Sequence, residues 1–207
     1  ALERWARFFG EVEGAMVERE EVLAQIGLAL LAREHVLMTG PPGTGKSLLA
    51  SSVLGRIMCE ESGDASLFAR QLSESTVQTD LIGAVDFRTL TETGRTEYFT
   101  DEGMLGAVHA FLDEVLDGRD MLLRSTLNLL EERELKQGKK ITKGKIECAL
   151  MTTNRYLSEV LEDSRTTLLA FVDRIAFVNF VPRGFVEPSS MERVLAATTL
   201  PTLLLGG

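Results

Sequence analysis

The chain has 207 residues, 44% of them hydrophobic and 26% charged, so it can bury a sizeable core and has the composition of an ordinary globular protein. A net charge of −9 argues against a general affinity for nucleic acid or an anionic membrane surface, while leaving room for a local basic patch. Two distant cysteines, Cys59 and Cys148, show neither metal nor disulfide spacing, no apolar run is long enough to span a bilayer, and the start lacks a signal-peptide pattern, which together predict a reduced, cytoplasmic setting.

At the N-terminus Trp5, Phe8, Phe9, Val12 and Met16 recur at helical spacing and predict amphipathic structure, broken near Gly10 or Gly14. A helix over about 19–33 follows, with Val22, Ile26, Ala29 and Leu30 inward. Both segments have a plain reading as core, and the segment ahead of the first strand is also a candidate cover for an adenine ring. Val36-Leu37-Met38 reads as a strand. It runs into Gly40-Pro41-Pro42-Gly43-Thr44-Gly45-Lys46-Ser47, which fits G-x-x-x-x-G-K-[ST], and an apolar helical run from Leu48 to Ile57 comes next.

That placement matters more than the pattern. Glycines let a loop bring successive backbone N–H groups close to a phosphate chain, and the helix behind it offers its positive end to the anion. Lys46 is placed to reach the β and γ phosphates of a nucleotide, and the Ser47 hydroxyl to hold a Mg²⁺. The residues expected to contact the nucleotide are therefore Gly40, Pro41, Pro42, Gly43, Thr44, Gly45, Lys46, Ser47 and Leu48.

Beyond the loop, Leu49, Val53 and Ile57 form one apolar stripe, and Gly63 is expected to close that helical region. A strand is predicted over 67–72 with an exit loop over 73–80. The stretch 81–103 is poorly periodic, turns at Gly83, Gly94 and Gly103, and reads as an insertion. An apolar strand over 107–112 ends in Asp113-Glu114, a helix spans 120–133, and 134–147 suggests a hairpin carrying Lys136, Lys139, Lys140, Lys143 and Lys145. A strand over 148–153 ends at Asn154, 166–172 is helical, 175–181 is a last strand stopped by Pro182, and Ser189-x-x-Glu192 reads as a capping box opening a helix over 189–198. The apolar tail 200–207 is too short to span a membrane.

Strands alternating with helices predict a largely parallel sheet covered on both faces, with ligands at the carboxyl ends of its strands. The loop at Gly40, the pair at Asp113 and Glu114, and Asn154 all fall at such ends. In phosphoanhydride hydrolysis Asp113 would serve the Mg²⁺, Glu114 would act as general base toward water, and the Asn154 amide would address a γ-phosphate oxygen. The plain alternatives are a capped or solvated strand end for the acidic pair, a turn residue for Asn154, and a solvated face for the lysines. Arg174 follows Asp173 just before the last strand and is a candidate to reach a neighbouring subunit's site, with Arg165 the second candidate and an ion pair with Asp173 the alternative.

Taken together these residues resemble the AAA+ ATPases, and within them the MoxR family, especially its RavA-like members. Gly40 to Ser47 matches Walker A, Ala110-Phe111-Leu112-Asp113-Glu114 matches Walker B, Asn154 in Met151-Thr152-Thr153-Asn154 matches sensor 1, and Phe171-Val172-Asp173-Arg174-Ile175 is similar to the arginine-finger segment. The stretch from Asp80-Leu81-Ile82-Gly83 to Asp101-Glu102-Gly103-Met104-Leu105 resembles the family's helix-2 insertion, and 134–147 its hairpin before sensor 1. The resemblance implies a P-loop NTPase three-layer α/β sandwich with a mostly parallel five-stranded sheet, occupying 1–182 with 1–35 as its N-terminal helical segment. Residues 183–207 would then be a linker and the start of a truncated helical lid. It also implies ATP and Mg²⁺ as cofactors, a hexameric ring of like chains, and chaperone-like remodelling, assembly or metal insertion of a protein client with a partner carrying a von Willebrand factor A domain. The rival expectations are a nucleic-acid motor using the lysine-rich hairpin and a nucleotide-gated scaffold with little turnover.

Overall fold

A computed structural model describes residues 2–58, 63–137, 140–163 and 166–198. Cys59, Lys139, Arg165 and the tail 200–207 lie outside the described residues.

The order of elements is α1 (Leu2–Ala15), α2 (Glu20–Ala32), β1 (Val36–Thr39), α3 (Lys46–Leu54), β2 (Leu67–Gln71), α4 (Thr79–Ile82), α5 (Phe87–Thr93), β3 (His109–Asp113), α6 (Asp120–Glu132), β4 (Glu134–Gln137), β5 (Lys140–Lys143), β6 (Cys148–Thr152), α7 (Leu157–Glu162), α8 (Thr166–Asp173), β7 (Phe177–Phe180) and α9 (Pro188–Thr198). Five strands form one parallel sheet in the order β2-β3-β6-β1-β7. The other two, β4 and β5, form the expected antiparallel hairpin. Among the described residues no helix is long and apolar enough to cross a membrane.

The central strands read as unbroken apolar runs because both faces of the sheet are covered. Val36 and Met38 point into one core with Val12 of α1, Ile26 of α2 and Val53 of α3. Leu37 points into the other with Leu123 and Leu127 of α6 and Phe171 of α8. The fold is thus a three-layer α/β sandwich of the P-loop NTPase type.

Several boundaries differ from the sequence expectation. The first helix is not broken: α1 runs through both Gly10 and Gly14. A Cβ at either would meet nothing within 4 Å, so these glycines mark no tight turn or close approach. Each costs a helix about 1 kcal/mol relative to alanine, which packing of Phe8, Phe9 and Val12 against α2 and α3 offsets. Helix α3 starts at Lys46 and ends at Leu54 on a Gly55 cap, eight residues before the glycine expected to close it. Strand β3 includes Asp113, so that carboxylate still belongs to the sheet. Helix α7 follows Asn154 unforeseen. Helix α9 opens at Pro188, the favoured first helical position for proline, so Ser189 lies inside it and caps nothing in the expected sense.

The segment 81–103 is an insertion as expected, holding the end of α4, all of α5 and an isolated bridge between Val85 and Tyr98. Two of its glycines end helices: Gly83 (φ 108°) follows α4 and Gly94 (φ 69°) follows α5, whereas Gly103 opens the 3-10 turn Met104–Gly106. A Lys140 to Glu97 ion pair at 2.8 Å ties this insertion to the hairpin.

Candidate active site

Strand order creates the site. Because β1 lies between β6 and β7, and β3 beyond β6, the loops leaving β1, β3 and β6 emerge side by side. The register sets Met38 beside Thr152 and Leu112 beside Met151, so the residues just beyond these pairs meet at the carboxyl edge of the sheet.

The phosphate loop is shaped by its glycines. Gly40 has φ 136°, and a Cβ there would lie 2.3 Å from Val181 O, so only glycine fits beside the exit of β7. Gly43 and Gly45 also adopt positive φ, at 77° and 83°. Gly45 caps α3, leaving the first-turn N–H groups of that helix without intrahelical partners and open to an anion. Residues Pro42 to Leu48 line a cavity of about 280 Å³ together with Glu114 and Asn154.

Polar contacts join the expected residues into one network. Lys46 is buried, and its Nζ donates to Gly40 O at 2.8 Å, Pro41 O at 2.9 Å and Asn154 Oδ1 at 2.9 Å. The other end of the same amide, Asn154 Nδ2, donates to Glu114 Oε1, while Asn154 N donates to Glu114 Oε2 at 3.0 Å. Ser47 Oγ donates to Asp113 Oδ1 at 3.1 Å. One hydroxyl and one carboxylate at the rim of an anion cradle suit a hard, oxygen-ligated cation that takes its remaining ligands from phosphate and water. The residues therefore fit Mg²⁺ with a nucleotide.

Two titrations are displaced. Burial pushes the Glu114 carboxyl above its ordinary range, opposed by the Asn154 N–H and reinforced by the charges of Asp117 and Asp113. Burial also lowers the Lys46 ammonium, against the attraction of Glu114 and Asp113. A carboxylate whose proton affinity is raised beside an anion cradle is suited to accept a proton from water.

Arg174 is placed apart. It follows the last residue of α8 and lies in a groove between α6 and α8, where its guanidinium pairs with Glu131 at 3.5 Å in place of the neighbouring Asp173. The two residues that sequence reasoning missed are Thr152 and Arg19. Thr152 Oγ1 donates to Asp113 Oδ1 and accepts from Glu114 N at 3.1 Å, holding the side chain of one acidic residue and the backbone of the next. A hydroxyl in an otherwise apolar buried strand was the available signal. Arg19 bonds the loop from behind at Thr44 O, and nothing in its sequence neighbourhood marks it.

The family model for the MoxR domain of MoxR-vWA-beta-propeller ternary systems matches residues 4–200. The chain belongs to the MoxR family of AAA+ ATPases. This MoxR domain is 29% identical to an uncharacterized protein of Methanocaldococcus jannaschii over 185 residues, 89% of the chain and 45% of that protein. It is 28% identical to Chaperone MoxR1 of Mycobacterium tuberculosis over 129 residues, 62% of the chain and 31% of the relative. The chain thus spans less than half the length of these curated relatives. Among solved structures it is similar to a Cytophaga hutchinsonii protein assigned as an ATPase, with a TM-score of 0.65 at 17% identity over 97% of this chain and 56% of that one. It is also similar to the S. cerevisiae Hsp104-ADP complex, with a TM-score of 0.64 at 14% identity over 95% and 38%. At such identities the structural likeness speaks for the MoxR domain's fold alone.

Proposed function

We propose that this MoxR domain is the core of a cytoplasmic, ring-forming ATPase that couples Mg²⁺-dependent ATP hydrolysis to remodelling, assembly or metal-cofactor insertion of a protein client. Residues 1–182 would be the catalytic core and 183–207 the start of a helical lid. The observation that carries the reading is the hydrogen-bonded chain from Lys46 through Asn154 to Glu114 at the mouth of the phosphate loop, with Ser47 on Asp113 beside it.

Bound MgATP supplies the anhydride bond and neutralises charge as it breaks. The loop from Gly40 to Leu48 holds the phosphates through backbone N–H groups, and Lys46 adds a positive charge. Ser47 and Asp113 would hold the Mg²⁺. Glu114 accepts the proton of the attacking water, and Asn154, bonded to both Lys46 and Glu114, keeps base and phosphate in register. Arg174, paired with Glu131 in the groove between α6 and α8, would serve the site of the next subunit.

The family description, which places such domains in systems with von Willebrand factor A and β-propeller components, supports a partner of the first kind. Charge pairing favours a protein client over nucleic acid. Of the hairpin lysines, Lys136 is engaged by Glu132 and Glu134, and Lys140 by Glu97. Salt-dependent DNA binding lost on replacing the hairpin lysines would reverse that preference.

Glu114→Gln tests the reading. It is expected to retain ATP binding and lose turnover by at least about 10²-fold, the lower end for a positioned general base. Unchanged turnover removes Glu114 from the mechanism. A single-turnover measurement on the parent separates a working ATPase from a scaffold that only binds.

A further inference from the structure

The segment between α1 and α2 holds a buried arginine for which the hydrolytic scheme has no role. Arg19 is 7% exposed. Its Nη1 donates to Glu18 O at 2.7 Å, and its Nη2 to Thr44 O at 3.2 Å and Pro182 O at 3.4 Å, with the guanidinium carbon 5.9 Å from the centre of the Phe185 ring. The acceptors are carbonyls of three separate segments: the approach to α2, the phosphate loop and the exit of β7. Taking a guanidinium out of water is costly unless its donors are met, so this placement is a specific junction and not casual packing.

The consequence for the loop follows from the geometry of a peptide. A trans peptide sets its C=O and the following N–H on opposite sides. A cation drawing Thr44 O outward therefore turns the Gly45 N–H the other way, and Gly45 lines the cavity where the phosphates belong. The adjacent residue extends the junction to α9. Glu18 stands at φ 53°, unusual for a residue with a Cβ, and its carboxylate accepts from Val186 N at 2.6 Å and Glu187 N at 2.9 Å, just ahead of Pro188.

We propose that Arg19 is a positioning residue for the phosphate loop, holding the Thr44–Gly45 peptide with its N–H turned toward the nucleotide's phosphates, while Glu18 fastens α9 to the same junction. This rests on the reading of the loop as an ATP site. It assigns the segment before α2 a part in phosphate binding through the loop's backbone, without contact to the nucleotide.

The test is equilibrium titration of the full-length protein with ATP, reading dissociation constant and number of sites separately, for the parent, Arg19→Gln and Arg19→Lys. Arg19→Gln is expected to raise Kd by about tenfold or more, the worth of a hydrogen bond from a charged donor, with the number of sites unchanged. Arg19→Lys, which keeps the charge but not the fork, is expected to recover part of that loss. A Kd for Arg19→Gln close to the parent's overturns the proposal, whatever happens to the number of sites. Should Arg19→Gln not fold, Arg19→Lys decides: weakening by about threefold or more supports the proposal, and anything less overturns it. A parent protein that binds no ATP sinks the nucleotide reading itself, and this inference with it.

Discussion

Glu114 sits in a left-handed backbone conformation, φ 52°, between β3 and the turn that follows it. A non-glycine residue held there is strained and persists only because its surroundings over-determine it; here the Thr152 hydroxyl holds its N–H and the Asn154 amide holds its carboxylate. Its raised proton affinity has two consequences of definite sign. As a base Glu114 works only when ionised, so the acid limb of the turnover profile should lie above the usual carboxylate range; a limb at an ordinary glutamate value would contradict the burial of the group. For stability, a carboxyl whose folded pKa exceeds its unfolded value helps below the unfolded pKa, and that help is lost as pH rises through the folded pKa. Glu114→Gln should therefore melt above the parent at neutral pH, with the difference shrinking near pH 4. Calorimetry across that range reads it directly.

Elements differ in how far their residues announced them. The loop was legible residue by residue because its backbone needs glycines in places where no other residue fits. Gly40→Ala would drive a Cβ to within 2.3 Å of Val181 O at positive φ, so urea unfolding should show a loss of at least about 2 kcal/mol and ATP affinity should fall with it. Gly10→Ala is the opposite case, a helical glycine with open space around it, and should gain up to about 1 kcal/mol. Sequence pattern marked Gly40 as part of the loop but read Gly10 as a helix breaker; the positive φ at Gly40 and Val181 beside it, against open space around a helical Gly10, set their opposite effects. The same limit explains why α7 went unseen and why α3 ended early, since a short helix held by neighbours leaves little periodic signal.

For the whole molecule, the arrangement of Arg174 matters most. It shares a groove with α6, and its exposed pair with Glu131 is of a kind worth at most about 1 kcal/mol, easily exchanged for a phosphate. If it completes a neighbour's site, Arg174→Ala should lower turnover about 10³-fold or more. Mixing that variant with Glu114→Gln subunits should restore part of the activity, because each supplies what the other lacks. Rings that form from the mixture without recovery would count against a finger acting in trans.

The phosphate loop, the acidic pair, the asparagine and the alternation of strand and helix were legible from residues alone, because each depends on backbone freedom, residue chemistry or periodicity that a short stretch carries within itself. Folding adds that β1 lies between β6 and β7, that Thr152 braces both acidic residues, and that Arg19 holds the loop at Thr44 O. Those are contacts between residues up to 163 positions apart, as Arg19 and Pro182 are, and their geometry exists only once the sheet has brought the segments together.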